Sequence, residues 1–339
     1  MARIALDAMG GDFAPIAPVG GALMALADLG PEHRIQLVGR ESVVIAALDA
    51  AIAGDYAALA LHRERIDVID APDVIAMADR PTAVMRRPDS SMSVGLRQHA
   101  EGRADAFVSA GNTGAQMAAS VQILKLHDGL KRPAIGTIFP TALQTVLVLD
   151  SGANVDCSAE ELVHFARLGL VYAEDILGRV NPAVGLLSIG EEPEKGNAVV
   201  KDAHKLLAKT GLHFVGNVEG RDVAAGTCDR GPFDVVVCDG FIGNVILKFY
   251  EGLAPILVKM VAESIDADSH ELMKGLAHLD YSNYGGAPLL GVRGVSIIAH
   301  GKSSPRAIKN AVKVAVRAAE SQMSEHIGRR LAAAAASAA

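Results

Sequence analysis

A chain of 339 residues, half of them apolar and with a mean hydropathy of +0.27, has ample material for a buried core. Only 4% is aromatic, Trp is absent, and small aliphatic residues and Gly dominate, which suits helices packed on sheet better than a β-sandwich. The net charge of −7 denies the chain the basic field that a nucleic-acid binder needs, so any acidic partner must meet a local basic patch. Cys157, Cys228 and Cys238 form no CxxC pair and have no His at zinc-ligand spacing, so neither a metal site nor a disulfide framework is expected, and no cofactor is expected either.

From the N-terminus, Met1 runs straight into Arg3-Ile-Ala-Leu-Asp7 without the apolar core of a signal peptide, and a cytoplasmic location is expected. Short β-branched runs then alternate with helical patterns, the habit of parallel sheets covered by helices. Strands are expected at Arg3 to Asp7, Ile35 to Val38, Ile66 to Ile69, Ala106 to Ser109, Ala134 to Ile138, Thr145 to Leu149, Ala183 to Ile189, Phe214 to Gly216, Asp234 to Cys238 and Val295 to Ile298. Helices are expected at Gly114 to Leu126, Ala159 to Leu177, Asn197 to Lys209 and Pro305 to Met323. In the last, Ser304 can cap, Pro305 suits the first turn, and Ile308, Val312, Ala315 and Ala319 form one apolar stripe.

No repeat or linker divides the chain, and a single α/β domain over residues 1–330 is expected. Residues 246–280 break the alternation with two helical stretches joined through Asp266-Ala-Asp-Ser269, which suggests a projecting helical hairpin. Residues 331–339 are alanine-rich with no stripe to bury, and fraying is expected there. No uncharged apolar stretch approaches the roughly 18 residues of a membrane span, so any membrane contact would be peripheral.

Five expected strands end in turns of Gly and small polar residues: Asp7 to Asp12, Ser109 to Gly114, Asp150 to Asn154, Ile189 to Asn197 and Asp239 to Asn244. In a parallel sheet such strand ends line one crevice, into which helix N-termini point unsatisfied N–H groups. The crevice therefore favours an anion. None of the turns fits GxGxxG or GxxxxGK[ST], and no acidic residue follows a glycine fingerprint as NAD binding would require, so the anion should be small, such as free phosphate. Gly10, Gly11, Asp12, Ser109, Gly111, Asn112, Thr113, Asn154, Asn197, Asp239 and Gly243 are the crevice candidates.

Covalent catalysis has little support, for there is no GxSxG elbow and no HExxH pair. Cys238 ends the run Val235-Val-Val, where a small buried thiol is the ordinary reading. Lys195 stands in an acidic, glycine-bracketed turn before a helix. There its ammonium could hold phosphate, or could pair on the surface with Glu191, Glu192 or Glu194.

Seven ordered motifs spread over residues 3–317 make a resemblance: Ile4 to Asp12, Asp89 to Met92, Ser109 to Ala115, Lys195-Gly-Asn197, Gly216 to Asp222, Asp239 to Val245 and Asp280 to Ala287. Together they closely resemble the PlsX family of acyl-ACP:phosphate acyltransferases. The resemblance implies a homodimer with a three-layer, Rossmann-like α/β/α fold related to the isopropylmalate dehydrogenase group. It also implies reversible transfer of a fatty acyl group from acyl carrier protein to inorganic phosphate. The acyl phosphate so formed would feed phospholipid synthesis, through a membrane-bound glycerol-3-phosphate acyltransferase downstream. In that family the lysine of the KGN turn and the asparagine of the DGFxGN turn are the expected catalytic pair, which are Lys195 and Asn244 here.

An acyl chain needs an apolar groove, and Leu253, Ile256, Leu257 and Met260 recur at helical spacing in the hairpin, where core or dimer packing would explain the same stripe. The family associates this region with membrane contact at the inner face of the cell membrane, but the acidic turn, Asp266 and Asp268, disfavours anionic lipid. Acyl carrier protein is acidic and should land on a basic patch. Arg306, Lys309, Lys313 and Arg317 lie on one face of the last expected helix, and Arg80, Arg86 and Arg87 make a second candidate, although a charge stripe is also an ordinary solvated face. The competing functions are an acyltransferase drawing on acyl-CoA and a non-catalytic scaffold for lipid synthesis.

Overall fold

The computed structural model describes residues 1–264 and 285–338. They divide into two compact units, one from Met1–Pro133 with the described part of Tyr284–Ala339, the other from the described part of Ala134–Asn283. The strands are β1 (Arg3–Asp7), β2 (Arg34–Gly39), β3 (Ile66–Asp70), β4 (Ala106–Ser109), β5 (Ala134–Pro140), β6 (Thr145–Leu149), β7 (Val184–Leu187), β8 (Phe214–Val218), β9 (Thr227–Cys228), β10 (Gly231–Pro232), β11 (Val235–Val237), β12 (Ala287–Leu290) and β13 (Ser296–Ile298). The helices are α1 (Ile16–Asp28), α2 (Glu41–Ala53), α3 (Ser91–Ala100), α4 (Thr113–Ile123), α5 (Ala159–Asp175), α6 (Ala198–Leu207), α7 (Gly220–Ala225), α8 (Gly240–Ser264), α9 (Pro305–Glu320) and α10 (Met323–Ala338). The fold class is the expected α/β.

In the first unit the strand order is β3-β2-β1-β4-β13-β12, with α1 to α4, α9 and α10 as its helices. The pairs from β3 to β13 are parallel; β1, β2, β4 and β13 are buried apart from Arg3 and Arg34, as a sheet covered by helices demands, while β3 at the edge is mostly half-buried. Helix α9 forms for the reasons its sequence suggests. The Ser304 hydroxyl accepts the Ala307 N–H at 3.3 Å, Pro305 opens the first turn, and Ile308, Ala311, Val312, Ala315 and Val316 are buried. Its partner is α1, which comes so close that a Cβ on Gly21 would lie 2.5 Å from the Ile308 side chain.

In the second unit the order is β5-β6-β11-β7-β8, with α5 to α8. Helix α5 starts at a capping box, in which Ser158 accepts the Glu161 N–H and the Glu161 carboxylate accepts the Ser158 N–H. Its Gly169 packs on β11 with no room for a side chain, a Cβ there lying 2.5 Å from Val235.

Within these two strand orders, two pairs depart from the parallel pattern read in the sequence: β5 with β6, and β12 with β13, run antiparallel, as does the separate short pair β9 with β10. The reason is connection length. Residues 141–144 and 291–295 are too few for the crossover of a dozen or more residues that a parallel pair needs, so each closes as a hairpin. The alanine-rich end also differs from expectation, since α10 continues as helix to Ala338 and buries Ile327 and Leu331. Of the 246–280 hairpin, the part to Ser264 belongs to the long helix α8; the rest, with Asp266 and Asp268, lies outside the described residues.

Candidate active site

In the second unit, three neighbouring parallel strands, β6, β11 and β7, end on the same edge. Strands in a sheet lie about 4.8 Å apart, so the turns that follow these three fall within roughly 10 Å of sheet width. They are the Asp150 turn, the start of α8 with Asn244, and the Lys195 turn.

The Asp150 turn is built on one buried carboxylate. Its Oδ1 accepts the N–H groups of Ile135 (3.0 Å), Gly152 (3.2 Å) and Ala153 (3.1 Å), while Oδ2 accepts the Asn154 N–H (2.7 Å) and Nδ2 (2.9 Å). Burial pushes the pKa of Asp150 up, and the bonds from the turn oppose that rise. Helix α8 docks directly on this turn. The Asp239 carboxylate accepts the Ile242 N–H at 2.8 Å, and Gly240 donates to the Asn154 carbonyl at 2.7 Å. A Cβ on Gly240 would lie 2.6 Å from that carbonyl, and any side chain at Gly243 would overlap the carbonyl oxygen of Asp150. This close seat delivers Asn244 to the rim. Its side chain lies against Gly152, it is exposed, and its amide makes no hydrogen bond to the described residues.

The Lys195 turn follows β7. The Lys195 N–H donates to the Glu192 carbonyl at 3.0 Å, Gly196 has a φ of +99°, and Asn197 caps α6 by accepting the Val200 N–H at 2.9 Å. The lysine is exposed and has no ion-pair partner among the described residues, whereas Glu191 pairs with Arg221 at 3.4 Å. Of the two roles open in the sequence, the structure therefore leaves Lys195 available to a ligand beside the positive end of a ten-residue helix.

The first unit has a counterpart at the end of β1. Buried Asp7 accepts the Ser109 hydroxyl at 2.7 Å and the Met9 N–H at 3.0 Å, and the same hydroxyl accepts the Gly111 N–H at 2.9 Å. Burial pushes the Asp7 pKa up, against hydrogen bonds from Ser91, Ser109, Met9 and Gly10. Gly10 fits here because a Cβ would lie 2.6 Å from Asp7 Oδ2. Asn112 caps α4 through the Ala115 N–H (3.0 Å) and donates to the carbonyls of Met77 (3.0 Å) and Asp79 (2.8 Å). The structure thus commits the side chains of Ser109, Asn112, Asn154 and Asp239 to holding turns and helix starts. Gly11 turns the chain so that the Asp12 N–H meets the Gly301 carbonyl at 2.8 Å, and the side chains of Asp12 and Thr113 face solvent.

Half-buried Cys157 and buried Cys238 are poor nucleophiles. Cys157 has its pKa pushed up to about 12 by burial and by the Asp150 charge, and Cys238 is raised by burial. Among the described residues, one group of three could hold a metal by distance, Glu32, His33 and Glu320. Yet His33 Nδ1 accepts the Ala2 N–H at 3.1 Å, so Nε2 carries the ring proton between the two carboxylates, an arrangement of hydrogen bonds and not of ligands.

On α8 the inner face, Ile246, Leu247 and Tyr250, packs on the sheet core, with Tyr250 5.6 Å from Phe139. The opposite face carries Phe241, Ile242, Val245, Phe249, Leu253, Ile256, Leu257 and Met260, all exposed; the groove candidates are therefore not core residues. On α9, Lys309 and Lys313 both reach Asp28 of α1 at 3.1 Å and hold its carboxyl below the usual range. That pair is tied to helix packing, which leaves Arg306 and Arg317 as the solvent-facing members of the stripe. In the second basic patch Arg87 pairs with Asp79 at 2.8 Å, while Arg80 and Arg86 are exposed. No described helix is long and apolar enough to cross a membrane.

The family described as fatty acid synthesis protein matches residues 2–326. The phosphate acyltransferase of Heliobacterium modesticaldum is 47% identical over 92% of both chains, and that of Aquifex aeolicus 44% identical over 93% of this chain and 92% of its own. This chain belongs to the PlsX family. As a PlsX member it is an acyltransferase of fatty acid and phospholipid synthesis. Solved structures similar to it share the fold alone. The EutD phosphotransacetylase from Staphylococcus aureus has a TM-score of 0.62 at 15% identity over 94% of each chain. A branched-chain phosphotransacylase from Enterococcus faecalis V583 has 0.61 at 14% identity, over 94% of this chain and 99% of its own.

Asp7 and Asp150, each of which organises a glycine turn within its own unit, were not among the candidate residues read from the sequence. Their signal is shared: each closes an aliphatic strand, Ile4-Ala-Leu-Asp7 and Leu147-Val-Leu-Asp150, immediately before a glycine turn.

Proposed function

We propose that this acyltransferase transfers a fatty acyl group from acyl carrier protein to inorganic phosphate by direct attack. The observation that carries the reading is the placement, on one sheet edge, of a lysine beside a helix N-terminus and an asparagine amide, neither side chain having a polar partner among the described residues. Lys195 and the first N–H groups of α6 hold HPO4²⁻. A phosphate oxygen bonds to the thioester carbonyl carbon, and the oxyanion that forms accepts the Asn244 amide N–H. Collapse breaks the C–S bond, and the phosphate proton goes to the departing thiolate, giving acyl phosphate and the free carrier thiol.

The first turns of α8 place Phe241, Ile242 and Val245 around Asn244, at 59%, 40% and 52% exposure, which supports their use as the mouth of the acyl groove. Leu253, Ile256, Leu257 and Met260 continue the stripe, and its exposure in a single chain supports a homodimer that covers it. Arg306, exposed on α9, is the favoured contact for the acidic carrier protein. Such a protein works in the cytoplasm and passes its product to a membrane-bound glycerol-3-phosphate acyltransferase, meeting the membrane only peripherally.

The test is phosphate-dependent loss of acyl-ACP with mass detection of acyl phosphate, run beside acyl-CoA. Faster turnover with acyl-ACP supports the reading. Preference for acyl-CoA would transfer it to the coenzyme A alternative, and no turnover with either would favour a scaffold.

A further inference from the structure

Beneath the Lys195 turn lies a partly buried relay to which the mechanism above gives no part. Asn217, near the end of β8, is 2% exposed, and its Nδ2 donates to the Glu192 carbonyl at 2.7 Å. The same carbonyl oxygen accepts the Lys195 backbone N–H. With Nδ2 spent on a carbonyl, Oδ1 of Asn217 is an acceptor, and it lies 2.9 Å from His204 Nδ1, which must carry the ring proton. His204 is itself steadied edge-on by Phe214, ring centroids 5.2 Å apart, and belongs to α6, whose capping residue Asn197 follows the lysine by two positions. One carbonyl oxygen therefore ties the lysine's backbone to the sheet and, through His204, to the helix whose N-terminus the lysine adjoins. The lysine stem is guided further by Gly190, where a Cβ would come within 3.0 Å of Lys195 Cγ.

We propose that Asn217, oriented by His204, is a positioning residue that fixes the Lys195 turn and thereby sets the affinity for phosphate. This rests on the assignment of Lys195 to phosphate. A long, exposed side chain holds an anion well only if its backbone is fixed, because displacement by about 1 Å removes the alignment of ammonium and helix N–H groups. Losing the Asn217 donor leaves the Glu192 carbonyl with the lysine N–H alone and lets the turn drift.

The experiment is steady-state kinetics with phosphate and acyl-ACP varied separately, on Asn217→Asp, His204→Phe, His204→Asn and Lys195→Ala. Asn217→Asp is expected to raise the KM for phosphate roughly tenfold, the scale of one lost hydrogen bond, with the KM for acyl-ACP unchanged. His204→Phe should shift the phosphate KM in the same direction, and His204→Asn, whose amide nitrogen sits where Nδ1 did, should restore it. A structural role alone would instead lower kcat with the folded fraction and leave both KM values in place, and that result overturns the proposal. Should Asn217→Asp fail to fold, the His204 pair decides, because equal phosphate KM values for His204→Phe and His204→Asn also overturn it. Lys195→Ala separates the two claims. Normal phosphate saturation in that variant removes the underlying assignment, whereas loss of saturation there with wild-type phosphate KM in the relay variants removes only the positioning role.

Discussion

Asn244 lies against Gly152, so that a Cβ on the glycine would sit 3.5 Å from the asparagine Oδ1 and 3.6 Å from its Cβ. The amide is thus held level with the Asp150 turn without being spent on it. Asn244→Ala should fold normally, since no hydrogen bond to the described residues is lost, and should lower kcat by roughly a hundredfold or more, the usual cost of one oxyanion donor. Turnover assays beside thermal melting check both halves. Near-normal turnover would remove Asn244 from the mechanism.

Lys195→Met keeps the stem and removes the charge. With no carboxylate left unpaired by the change, stability should hold, and kcat/KM for phosphate should fall about ten- to hundredfold, the worth of a charge-assisted hydrogen bond. Phosphate saturation curves measure it.

Gly243→Ala drives a methyl group into the Asp150 carbonyl, so the start of α8 must move. A loss of about 1 to 3 kcal/mol in urea unfolding is expected, the range for an overfilled contact, and turnover should fall with it because Asn244 moves too.

The Asp28 contacts give a pH signature. Hydrogen bonds from Lys309 first, then Lys313, hold its carboxyl below the ordinary 3.8, so the stabilisation is present above that value and is lost as pH falls through the lower, folded one. The pair is largely solvated, and Asp28→Asn should cost under about 1 kcal/mol near pH 7. The difference from wild type should shrink to nothing in strong acid, followed by melting temperature against pH.

Thiol chemistry offers an independent check. With Cys157 raised to about 12 and Cys238 buried, alkylation by iodoacetamide near pH 8 should leave turnover intact, as should Cys238→Ser. Loss of turnover in Cys238→Ser with the fold retained would revive a covalent route.

How much of this was legible in the sequence follows the range of each interaction. Strand β1 and the start of α9 were read correctly, because aliphatic runs, Ser304 and Pro305 act within a turn or two. Lys195 and Asn244 were placed at strand ends by local pattern and family motif together. What the sequence hid is long-range. Asn217 finds Glu192 25 residues away, and Lys313 finds Asp28 285 residues away, so neither the relay nor the neutralised stripe could be seen from local spacing. Asp150 was visible only as the start of a glycine turn, since its five donors gather around it only in the fold.

Direct attack is the central claim, and label exchange tests it most directly. Enzyme, acyl-ACP and isotopically labelled free carrier protein are incubated in strictly phosphate-free buffer, and label entering acyl-ACP is followed by mass. Direct attack predicts no exchange until phosphate is added. Exchange in its absence would show that the acyl group first moves onto the enzyme, and would contradict the account.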